Sequence, residues 1–150
     1  MSNAMLELIL EATLETLYMV GIAGLIAAAA GIPLGVLLYV TRPGQILANP
    51  LTQKVLAIVT NVGRSIPFII LMVAIIPFTR LIAGSSIGTN AAIVPLTIAA
   101  IPFVARLVEG ALNEVPPGLV EAAQSMGATP YQIITKVLLP EAKGGIINGM

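Results

Sequence analysis

Apolar positions along this chain gather into long unbroken blocks, and the polar positions collect between them. Residues 16–41 carry no charge; as a helix rising 1.5 Å per residue they run about 39 Å, longer than the roughly 30 Å hydrocarbon core of a bilayer. The block predicts a spanning helix. Tyr18 and Tyr39 stand near its two ends, where aromatic rings suit the membrane interfaces, although places in a protein core would suit them equally. Inside it, "GIAGLIAAAAGIPLG" supplies Gly21, Gly24, Ala28, Gly31 and Gly35, small residues that permit the close approach by which helices pack in lipid. Pro33 predicts a kink.

A second block, residues 55–79, is interrupted by Arg64, with Ser65 and Pro67 just beyond. An arginine at the centre of a bilayer costs about 2.5–3.5 kcal/mol on insertion scales, so Arg64 is expected to snorkel, pair or face a watery cavity. Ser65 and Pro67 also fit a local helix break, which is tolerated only against protein or water. The third block, residues 81–105, opens with the turn-like "AGSSIGTN". Its helix is expected to start near Thr89 or Asn90, either of which can cap it, and to pass through Pro95 and Pro102 towards Arg106, with the span itself at about residues 88–107. "IPF" recurs at Ile66, Ile76 and Ile101; the irregular spacing indicates repeated helix distortion and no solenoid.

Composition agrees with this picture. Hydrophobic residues make up 57% of the chain and charged residues 9%, against roughly 25% charged in an ordinary soluble domain, so a water-soluble globule of this sequence would lack polar surface. Net charge is zero and no basic run occurs, which argues against a nucleic-acid partner. There is no Cys, His or Asp, so the usual thiol, imidazole and metal-ligand chemistries are missing. No metal, cofactor or catalytic residue is expected. Glu109 and Glu114 are the acids an intramembrane enzyme would have to use, yet no paired base or nucleophile accompanies them.

The first four residues, "MSNA", resemble the remnant of an expression tag. Glu7, Glu11 and Glu15 follow at a spacing of four and form one acidic, solvated stripe on a helix instead of the positive start of a secretory signal. Arg42 and Lys54 follow the first block and Arg106, Lys136 and Lys143 follow the third, whereas Arg80 alone lies in the second loop. The positive-inside rule then places the N-terminus outside and residues 108–140 in the cytoplasm.

That cytoplasmic segment contains "VEAAQSMGATPYQIITKVLLP", residues 120–140. Pro116 and Pro117 suit a helix start and Gly127 a left-handed helix end; Thr129 and Pro130 restart a second short helix expected to end before Pro140. Two short helices in an elbow result. Leu119, Val120, Ala123 and Met126 would share one face, suited to pressing into a partner's groove, or equally to packing beneath the chain's own helices.

The same residues resemble the EAA loop of ABC importer permeases, in which EAA is followed by three residues, G, nine residues, I, one residue and LP. Glu121, Ala122, Ala123, Gly127, Leu139 and Pro140 match, and Val137 stands where isoleucine is usual. In that family the loop forms coupling helices seated in a cleft of the ATP-hydrolysing subunit. The resemblance therefore implies that these six residues couple to an ATPase. "RSIPFIILMVAIIPFTR" (64–80) and "ALNEVPPGLVEAAQSMGATPYQII" (111–134) resemble in particular the methionine-importer branch of the family. It implies an all-α, polytopic transmembrane subunit of the bacterial inner membrane, working as a homodimer with an ATP-binding subunit and a substrate-binding protein. It also implies five spans. Residues 5–150 would then be part of such a domain, with about three spans, the coupling loop at about 116–140 and the start of a fourth span at 144–150, too short to cross. A channel or structural membrane protein without ATPase coupling, or an importer of another small solute, is the alternative.

Overall fold

The computed structural model describes residues 2–149, and among these all regular structure is helical, without strands. Eight α-helices follow one another: α1 Asn3–Val40, α2 Pro50–Ser65, α3 Phe68–Ala74, α4 Ile76–Ala83, α5 Thr89–Asn113, α6 Pro117–Ser125, α7 Pro130–Ile133 and α8 Leu139–Gly149, with a π-helical turn at Ile134–Leu138 between the last two. Two of them, α1 and α5, are long and apolar enough to cross a membrane, and the bent pair α2 and α3 is either a third, broken crossing or a re-entrant loop.

Local chemistry sets these boundaries. The acidic stripe and the first apolar block make a single helix, because nothing between Asn3 and Val40 interrupts the backbone pattern except Pro33, which α1 accommodates in its interior. The block at residues 55–79 is not one helix. Its first "IPF" separates α2 from α3, with Pro67 extended at ψ 137°, and its second opens α4, where Pro77 sits in the first turn and needs no donor. The third "IPF", at Ile101, lies inside α5, which runs through both Pro95 and Pro102. A proline motif thus breaks a helix at one place and is absorbed at another.

Two compact units form, Met1–Ala29 with Ile66–Ile101, and Ala30–Ser65 with Pro102–Met150. In the first, Tyr18 donates to Asn90 Oδ1 at 3.2 Å, and Ala23, Ala27, Thr79, Ala91 and Pro95 are buried. Leu8, Leu14, Leu17 and Leu25 of α1 stay largely exposed. Bare leucines around a helix are what lipid-facing helices show. In the second unit, Leu38, Val40, Val108, Leu112, Ile133 and Leu138 are enclosed. Gly35 lets α1 meet α5 here: a Cβ at that position would stand 2.5 Å from the carbonyl oxygen of Ala105 and 2.7 Å from Val108 Cβ. Among the described residues Gly21 and Gly24 meet no neighbour within 4 Å of an added Cβ, and the close approach is realised at Gly35. Tyr39 is 5% exposed. Of its two expected settings it takes the protein core, with the Arg42 guanidinium 5.8 Å from its ring centre.

Candidate functional site

The elbow begins where α5 ends. Glu114 and Val115 close a turn onto Ala111 and Leu112, and Pro116, extended at ψ 130°, hands over to Pro117 in the first turn of α6. Pro117 has no amide hydrogen to leave unpaired at a helix start. Glu121, Ala122 and Ala123 occupy the middle of α6, and Ser125 donates back to the carbonyl of Glu121 at 2.9 Å.

A Schellman motif terminates this helix. Gly127 takes φ 78°; its N–H reaches Gln124 O at 3.0 Å and the N–H of Ala128 reaches Ala123 O at 3.1 Å, so the last carbonyls of α6 are satisfied by the turn itself. The left-handed φ favours glycine there. Two residues later the chain restarts with a complete capping box: the Gln132 amide donates to Thr129 Oγ1 at 3.2 Å, and the Thr129 amide donates to Gln132 Oε1 at 2.9 Å. Short helices of four to nine residues are marginal alone. Here both ends of the turn are pinned, and α6 packs on α7 and the π turn.

Beyond α7 the structure departs from the sequence expectation. The helix does not stop before Pro140 but widens through Ile134–Leu138 and runs on as α8. Pro140 has no N–H for the carbonyl of Lys136, and its ring would crowd that oxygen at α-helical spacing. The π turn, in which Leu139 N–H reaches back to Ile134 O, places an extra residue just before the proline and relieves the clash.

The expected binding face of α6 also changes. Val120 is buried and Ala123 half-buried, so this side faces the protein, whereas Met126 is 87% exposed and Tyr131 75% exposed. The bare apolar surface of the elbow is therefore Met126 and Tyr131, flanking Gly127, while Leu119 near the start of α6 is 38% exposed. The six motif residues are not one cluster. Glu121 borders a cavity of about 150 Å³ shared with Tyr39, Gly44, Gln45 and Gln124, while Leu139 and Pro140 border another of about 480 Å³ with Ile32, Lys143 and Ile147.

A second constellation lies behind the elbow. Glu109, 3% exposed, forms ion pairs with Arg42 and with Arg106, whose Nη1 is 2.5 Å from Glu109 Oε2. Arg42 also donates to Asn113 Oδ1 at 3.2 Å, and Arg106 to Asn61 Oδ1 at 2.6 Å and more distantly to Ala57 O. The end of α1, α2 and α5 are thereby joined. Glu109 is held by two cations. Arg106 and Glu109 stand three residues apart on α5 and Arg42 is 67 residues from Glu109; neither arginine is paired with this acid by the sequence alone. Among the described residues no group of His, Cys, Asp and Glu is arranged to hold a metal ion.

A family model described as "Binding-protein-dependent transport system inner membrane component" matches residues 31–150. The probable D-methionine transport system permease protein MetI of Vibrio cholerae is 64% identical over 144 residues, covering 96% of this chain and 64% of its own length. The D-methionine transport system permease protein MetI of Yersinia pestis is 60% identical over 148 residues, covering 99% of this chain and 68% of its own. The chain thus spans about two thirds of the length of these relatives. Among solved structures, an inward-facing conformation of the MetNI methionine ABC transporter superposes with a TM-score of 0.97 at 56% identity, over 99% of this chain and 69% of the matched one.

Proposed function

The chain belongs to the family of binding-protein-dependent transport system inner membrane components, and from that premise we propose that it is the membrane-spanning permease subunit of an ATP-driven methionine importer. ATP hydrolysis belongs to a separate ATP-binding subunit, which receives the elbow in a cleft. A second copy of the permease and a substrate-binding protein complete the transporter. The N-terminus lies outside and the elbow in the cytoplasm of a bacterium, as the distribution of basic residues implies. Residues 5–150 form part of the transmembrane domain, the residues at about 116–140 being its coupling loop.

The observation that carries this reading is the turn at Gly127. It stands at the EAA spacing, joins the short helix α6 to the capped start of the helical run from α7 to α8, and leaves Met126 and Tyr131 bare beside it. Apolar side chains held out from a pinned turn suit insertion into a protein groove. Glu121, exposed on α6 and in no ion pair among the described residues, is placed to meet a basic group of the partner.

The geometry also suggests how motion passes on. When the ATP-binding subunits close, the cleft carries α6 with it; the Schellman turn and the capping box keep the elbow angle, so the displacement reaches α8 through α7 and the π turn. At its other end α6 joins α5 through only Glu114, Val115 and Pro116. Alternating access follows if these helices turn as rigid bodies. The test is uptake of labelled methionine into proteoliposomes holding the full-length permease, its ATP-binding subunit and the binding protein. ATP-dependent accumulation is expected. Accumulation without ATP or without the ATP-binding subunit would establish the channel reading instead.

A further inference from the structure

Three guanidinium groups, those of Arg42, Arg64 and Arg106, line one open cavity of about 460 Å³, with Phe103 and Leu107 as its apolar wall and Glu109 as its one carboxylate. Both oxygens of Glu109 are engaged, one by Arg42 and the other by Arg106. Arg64, at the end of α2, is exposed and has no ion-pair partner among the described residues. Arg106 Nε is buried and donates to nothing among them. The cavity therefore holds three positive charges against one negative, and more donors than acceptors, in a protein whose surroundings are largely hydrocarbon. Unbalanced charge in such a setting is costly.

We propose that this cavity binds a phosphate-bearing anion. Each guanidinium fork matches two oxygens of such a group. Glu109 gives one oxygen to Arg42 and one to Arg106, while Arg64 lines the same cavity without an ion-pair partner among the described residues; a tetrahedral phosphate offers more oxygens than a carboxylate to a third arginine. Two sources share this chemistry, an anionic phospholipid head group and free phosphate. Basic pockets between membrane helices recognise the former, and the exposed ring of Phe103 offers apolar surface beside the charge. This inference is independent of what is transported.

The experiment uses the full-length permease in its transporter complex, reconstituted in nanodiscs of mixed phosphatidylglycerol and phosphatidylcholine, then extracted and weighed by native mass spectrometry to count retained lipids. Phosphatidylglycerol is expected to be retained in preference, and Arg64→Gln to lower that preference about fivefold, the weight of one basic residue near a lipid surface. Arg64→Glu should abolish it. Among the described residues Arg64 makes no ion pair and no side-chain hydrogen bond, so both variants leave the Arg42–Glu109–Arg106 contacts in place. A parallel arm adds inorganic phosphate at millimolar concentration: retained lipid that resists it assigns the site to head groups, and displaced lipid with phosphate bound in its place assigns it to the free ion. Equal retention of both lipids with no phosphate bound, or a preference that Arg64→Gln leaves unchanged, overturns the proposal.

Discussion

Arg42, just past the end of α1, and Glu109, in α5, form an ion pair whose carboxylate is almost wholly removed from solvent. Because Arg106 takes the other oxygen of the same carboxylate, loss of Glu109 orphans two cations at once. Removing one partner of a buried pair costs about 3–5 kcal/mol. Glu109→Ala should therefore lower the melting temperature of the detergent-solubilised full-length protein markedly, whereas the exposed Glu114→Ala should leave it unchanged. Equal melting of the two variants would show that the cluster does not hold these helices together.

Gly127 has a left-handed backbone, and a Cβ there would meet nothing within 4 Å. The cost of a side chain is therefore conformational, about 1–2 kcal/mol for an ordinary residue, and a steric clash plays no part. Gly127→Val should relax the elbow, so that ATP is hydrolysed with little uptake, while Gly127→Asn, which tolerates this conformation, should keep most of it. The ratio of methionine taken up to ATP hydrolysed measures the effect; wild-type coupling in the valine variant would count against a rigid lever.

Thr129 holds the first turn of α7 through its hydroxyl. Replacing it with alanine removes the side-chain half of the capping box, a loss of about 1 kcal/mol. Hydrogen exchange at the Gln132 amide should then quicken severalfold in Thr129→Ala and stay near wild type in Thr129→Ser. An unchanged rate in the alanine variant would mean that packing alone orders this helix.

Gly35 and Gly24 test where the small-residue stripe matters. A methyl group at Gly35 collides with backbone and side chain of α5, but one at Gly24 meets open space. Forcing atoms into such a contact costs about 1–3 kcal/mol. Gly35→Ala should destabilise the full-length protein in thermal unfolding and Gly24→Ala should not; the opposite order would place the helix contact elsewhere.

Much of the elbow was legible because its determinants are local. The left-handed turn at Gly127 and the cap at Thr129 depend on residues a few positions apart, and each residue type admits few conformations. Pro140 shows where local reading stopped: proline predicts trouble for a helix, but whether the chain ends or widens into a π turn depends on what the next segment packs against. Val120 and Met126 make the same point on α6. Their spacing allowed one shared face, yet Val120 turned inward and Met126 outward.

The sequence by itself determined that this chain is helical, that it belongs in a membrane and that its polar segment turns at Gly127 between the end of one short helix and the capped start of the next. Those properties follow from apolar block length, from the scarcity of charge and from turn chemistry, all written in neighbouring residues. Only the tertiary structure decided that Arg42 reaches Glu109, that Arg64 is left over, and which glycine touches another helix. Such partners lie tens of residues apart, and a charge in an apolar chain states that it needs a counterpart without naming one; the choice falls to whichever helices pack close enough to bring it within reach.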